Sequence, residues 1–185
     1  MWDAFAVILR PLRPGDREVA LKAHQEVAGD EFFTPFLFID NGETWDSFIA
    51  GYEMDGTGKD LAPDRVPDTF LVSEVEGEII GRVSIRHELN EYLRNFGGHI
   101  GFVVRPQFRN QGFATEILAL ALEISRNLGL SRVLLTCDDK NVASSIVIER
   151  CGGVLENKVR KGPGVLMRRY WISLDSQTPP QLNQE

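Results

Sequence analysis

GGHIGFVVRPQFRNQGFAT, running from Gly97 to Thr115, joins a short apolar run to a polar turn and then to the head of a long helical pattern. Ile100 to Val104 suits a buried strand, and Pro106 breaks it. The periodicity of Ile117, Leu118, Ala121, Leu122, Ile124 and Leu128 predicts an amphipathic helix lying on a sheet and ending at Gly129. Between them, Arg109-Asn110-Gln111-Gly112-Phe113-Ala114 puts small residues where the helix begins. The first amides of a helix have no intrahelical acceptor and carry the positive end of its dipole, so this turn is a natural seat for a phosphate or diphosphate. A P-loop would need Lys and Ser or Thr after its last glycine, and Phe113 follows Gly112. A dinucleotide fingerprint would need three glycines where one stands.

Downstream, Val133 to Cys137 reads as a second apolar strand, parallel to the first across the helix. Asp138-Asp139-Lys140-Asn141 bounds it, and Val142 to Arg150 should be a further helix. Strands at Val154 to Val159 and Val165 to Leu174 close the domain. Upstream, the pattern predicts a strand at Ala6 to Leu9, a helix carrying Val19, Ala20, Ala23 and Val27, and a second helix from Thr44 to about Met54 after an Asp40-Asn41-Gly42 turn. Thr69 to Val75 and Ile79 to Arg86 form a hairpin across Glu76-Gly77-Glu78. The aromatic stretch Glu31 to Gly42 is either core packing or one wall of a pocket. His87 to Gly98 reads as a solvated loop or as the rim of that pocket.

The arrangement Arg109-x-x-Gly112-x-Ala114, after a strand ending Val104-Arg105-Pro106, resembles the acetyl-CoA-binding motif of the GNAT superfamily of N-acetyltransferases. The likeness continues through Asn141 to Ser145 and Glu149-Arg150-Cys151-Gly152-Gly153. It implies an α/β (α+β) acyl-CoA N-acyltransferase fold: a mixed, mostly antiparallel twisted sheet of about seven strands with about four helices and splayed central strands. It further implies transfer of acetyl from acetyl-CoA to a primary amine by direct attack in a ternary complex, or, as the alternative, a non-catalytic acyl-CoA-binding module.

In that family the backbone of Phe102, Val103 and Val104 would bond the pantetheine arm. The amides of Arg109, Asn110, Gln111, Gly112, Phe113 and Ala114, with Thr115, would hold the diphosphate, and Asn141 would touch the arm or the loop beside it. His99 stands where many relatives have a glutamate base, with Glu88 and Glu91 as rivals. Ile148 stands where many have a proton-donating tyrosine, so either Ser145, Tyr170 or water takes that task or the thiolate leaves unaided. Cys137 reads as a structural thiol.

At 185 residues, 43% hydrophobic, the chain fits one domain over 1–175 with a disordered tail at 176–185. No apolar run approaches the roughly 20 residues a membrane span needs, and the N-terminus does not read as a signal peptide. Two cysteines without a ligand pattern suggest neither disulfides nor a metal site, consistent with a cytoplasmic setting. A net charge of −7 spread along the chain argues against nucleic acid and mildly favours cationic amines. The final strands are where relatives often form a homodimer.

Overall fold

The computed structural model describes residues 6–39, 42–59, 61 and 64–175. In chain order it contains β1 (Ile8–Arg10), α1 (Arg17–Val27), α2 (Trp45–Asp55), β2 (Asp68–Val75), β3 (Glu78–Arg86), β4 (Ile100–Val104), α3 (Phe113–Asn127), β5 (Arg132–Asp138), α4 (Val142–Arg150), β6 (Val154–Gly162) and β7 (Val165–Ser173). The strands form two antiparallel sheets, ordered β1-β2-β3-β4 and β5-β7-β6.

Alternation along β2 to β4 sends side chains to opposite faces. Leu71, Val83, Ile85, Ile100 and Val104 meet Ile117, Leu118 and Ala121 of α3 in one core. On the other face Phe70, Val72, Ile79 and Val103 meet Ala20, Ala23 and Val27 of α1, Phe48 of α2, and Phe36 and Leu37 of the connecting segment. The aromatic stretch after α1 is thus core packing at Phe36 and Leu37, while Phe33 and Phe38 remain exposed.

The two sheets share that first core, but among the described residues hydrogen bonds join them at one point. His99, just before β4, donates its amide to the Leu134 carbonyl at 2.7 Å, and its Nδ1 accepts from the Leu134 amide at 2.8 Å. Beyond it β4 and β5 form no ladder, so the expected parallel pairing reduces to a single pin from which the strands diverge. Gly98 makes the pin possible. Its φ is +67°, and a Cβ there would lie 2.5 Å from the Leu134 carbonyl oxygen, a close approach that only glycine allows.

Two expectations are corrected. The first strand is Ile8–Arg10, displaced from Ala6 to Leu9. An apolar pattern excludes Arg10, yet that side chain is buried and paired with Asp16 at 2.7 Å and Glu74 at 2.6 Å. The segment read as a solvated loop coils at 91–97 into a helical turn. Asn90 starts it by accepting the Leu93 amide at 2.9 Å, and Thr136 of β5 donates its hydroxyl to the Phe96 carbonyl at 2.7 Å. The tail at 176–185 and the Asp40-Asn41 turn lie outside the described residues.

Candidate active site

Where β4 and β5 part, a cavity of about 970 Å³ opens, bordered by Phe102, Val104, Gly112, Ala114, Asn141 and Ile146. The end of β4 and the residues that follow β5, Lys140 and Asn141, both reach it, so the two strands run the same way out of the His99 pin. One edge of β4 is laddered to β3; the other faces the gap. The Val104 carbonyl there already accepts from Arg109 Nε at 2.9 Å.

The turn before α3 is built to present its amides. Gly112 caps the helix at φ +90°, after Asn110 at φ +62°. Left-handed residues so close together turn successive N–H groups toward one concavity. The amides of Thr115 and Glu116 return to the Gly112 carbonyl, so Thr115 can offer a hydroxyl to a ligand but its amide is committed. Among the described residues, the amides of Asn110, Gln111, Gly112, Phe113 and Ala114 donate to no protein acceptor. A Cβ on Gly112 would meet nothing within 4 Å, so the hollow is open. The Arg109 guanidinium turns away to Asp30, at 3.0 and 2.6 Å, and ties the turn to the end of α1.

Across the cavity, Asn141 accepts the Ser144 amide at 3.0 Å and so caps α4. Lys140 and Arg150 add positive charge to this wall. Neither stood out in the sequence, where nothing separates them from other surface cations. The hollow, its free amides and the flanking cations fit the diphosphate of a coenzyme A-like molecule in charge and shape.

The sequence profile of the acetyltransferase (GNAT) domain matches residues 6–154. The chain belongs to the GNAT acetyltransferase family. It is 32% identical over 94 residues to the uncharacterized N-acetyltransferase YnaD of Bacillus subtilis, an alignment covering 46% of this chain and 55% of that protein. The chain therefore matches about half the length of that curated relative. Among solved structures, RimJ of Mycobacterium smegmatis in complex with CoA-disulfide superposes with a TM-score of 0.69 at 20% identity, covering 95% of this chain and 84% of that one. The structure of yncA from Salmonella typhimurium with its cofactor acetyl-CoA gives 0.64 at 17% identity, covering 96% and 99%. Both establish the GNAT fold.

Against this GNAT frame, the residues singled out for proton transfer fall in different places. His99 is buried, and its Nδ1 lone pair is taken by the Leu134 amide, so the neutral ring carries its proton on Nε2. Burial, helped by Arg94, Arg86 and Arg132, pushes this imidazole down to about 4. Glu88 and Glu91 are exposed at the start of the 87–97 segment. The Ser145 hydroxyl donates to the Val142 carbonyl at 2.9 Å within its own helix. The Tyr170 hydroxyl donates to Glu149 at 2.8 Å. Ile148 is buried in the core with α3. Burial pushes the Cys137 thiol up to about 11, which keeps it protonated and unreactive.

The His99 shift fixes the sign of a pH effect. Its pKa is about 4 in the fold and about 6.5 in the unfolded chain. Between those values the unfolded chain binds more protons, so stability rises with pH. The His99 contribution is whole above about 6.5 and is lost as pH falls toward 4. Urea midpoints measured from pH 7 to 4.5 should fall less steeply for His99→Gln than for the unmodified protein. Equal slopes would show that the imidazole does not titrate this way.

Proposed function

We propose that this protein transfers the acetyl group of acetyl-CoA to a primary amine in a ternary complex. The observation that carries the proposal is the row of free amides from Asn110 to Ala114 above an open hollow, at the mouth of a gap between two strands pinned at one end. When bound, acetyl-CoA supplies an acetyl thioester, an acyl group already activated toward amines. The amides of 110–114 would hold its diphosphate, and the free edge of β4 at Phe102 to Val104 would offer backbone groups to its pantetheine arm. Asn141 and the apolar wall at Val142 and Ile146 border the same channel. Much of the rate would come from holding two reactants in register, and the β4 amides would stabilise developing negative charge.

His99 then acts by position: it keeps β4 and β5 joined at one end and apart at the other. Glu88 and Glu91 are left to take the acceptor's proton, directly or through water. With Ser145 and Tyr170 committed to protein partners and Ile148 in the core, the thiolate would leave without a side-chain acid. That same absence favours the second reading, an acyl-CoA-binding module without turnover.

Acetyl-CoA at 100 times its Kd should stabilise the fold by about 2.7 kcal/mol, a rise in melting temperature of roughly 5–10 °C for a chain of this size. A panel of primary amines should then release free CoA. Stabilisation without CoA release leaves the binding module standing, and no stabilisation sinks both readings.

A further inference from the structure

Under the segment between α1 and α2, strand β3 carries Arg82, Ser84 and Arg86 on one face. Gly101 and Val103 of β4 lie opposite Ser84 and Arg82. Arg82 is 0% exposed. It donates to the Gly101 carbonyl at 3.0 Å and to the Pro35 carbonyl, while its Nε finds no partner. The exposed ring of Phe38 covers it at 5.5 Å. Arg86, four residues along the same face, makes no side-chain hydrogen bond or ion pair among the described residues.

Both guanidinia converge on Gly101. A Cβ at this glycine would lie 3.1 Å from one terminal nitrogen of Arg86 and 3.8 Å from one of Arg82. The carboxylates around them are Asp68, which accepts from Ser84 at 3.2 Å, and Asp55, and both face a third cation, Arg65. Three guanidinium groups, Arg65, Arg82 and Arg86, against the two carboxylates leave this cluster one positive charge in excess. Burial, then the neighbouring Arg86, pulls Arg82 down to about 9, and burial lowers Arg86 as well.

Bracing the backbone at Pro35 and Gly101 accounts for Arg82 but not for Arg86. Arg82, buried, and Arg86, half-buried, have acceptors that are neutral carbonyls or nothing, and so form an incomplete ion cluster, since buried charge is stable only when paired. We infer that Arg82 and Arg86 receive a carboxylate on the acceptor, so that the amine acetylated belongs to an amino acid or another amino-carboxylate. This deepens the transferase reading and rests on it. A carboxylate matches the single excess charge and offers two oxygens to two guanidinium groups. A phosphate monoester would bring nearly two charges. Gly101 directly precedes Phe102, so the carboxylate would sit beside the strand edge assigned to the pantetheine arm. A polyamine would instead bring cations to a cluster already positive, which reverses the preference suggested by the acidity of the whole chain.

The test is calorimetric titration of the CoA-saturated protein with the common amino acids and the amines left when each loses its carboxylate, such as lysine against cadaverine and phenylalanine against phenethylamine. At least one amino acid should bind tenfold or more tightly than its decarboxylated partner. Arg86→Gln should bring that ratio to near unity with the acetyl-CoA Kd unchanged, and Arg86→Lys should restore part of it. The melting temperature of each variant shows that it folds. Amines that equal their carboxylated partners throughout, or a ratio untouched by Arg86→Gln, overturn the inference. Failure of the unmodified protein to bind CoA would sink the transferase reading by itself, and the same titration without CoA then decides for or against the anion site.

Discussion

Replacing Ala114 by phenylalanine should weaken acetyl-CoA binding by at least about 100-fold, roughly 2.7 kcal/mol, while the protein still folds. Ala114 is the second residue of α3, half-buried on the cavity wall. Phenylalanine costs a helix only about 0.5 kcal/mol relative to alanine, so α3 survives the change. Its ring would occupy the hollow that the free amides surround, and amides walled off from a diphosphate cannot bond it. Calorimetry with acetyl-CoA gives the Kd and a thermal melt shows the fold. A variant that melts normally and binds acetyl-CoA as tightly as the unmodified protein would remove the diphosphate from this turn.

Gly98→Val should cost about 3–5 kcal/mol of stability, from a left-handed backbone that disfavours a branched residue and from a side chain driven into the Leu134 carbonyl. For a chain of this size that is a fall in melting temperature of roughly 10 °C or more. Gly129→Val is the comparison. Its φ is also positive, +85°, but its Cβ meets nothing within 4 Å, so a smaller loss of about 1–3 kcal/mol is expected. Equal losses at the two sites would mean that contact with Leu134 contributes nothing, and that the sheets are not held together at His99.

These two sites differ in how far they could be read from the chain. The turn at Arg109 to Ala114 was legible because every feature it needs is local: a strand that stops at a proline, a glycine at the helix head, an apolar stripe behind it. For the same reason β4 spans Ile100–Val104 and α4 spans Val142–Arg150 as the pattern predicts. The coil at 91–97 was not legible, since part of what holds it is Thr136, some forty residues away. Arg82-x-Ser84-x-Arg86 does carry a period-two signal, and an apolar run with charges on one face could have marked it. What that signal lacks is the covering of Phe38 and Pro35, which turns a polar strand face into a buried cationic one.

Periodicity, turn chemistry and motif spacing set the order of strands and helices, the family and the position of the amide-lined turn, because each depends on residues within a few turns of one another. The state of His99, the divergence of β4 from β5 and the meeting of two arginines at Gly101 belong to the packed chain. Each depends on desolvation and on partners from other elements, and those terms exist only once the sheets have come together.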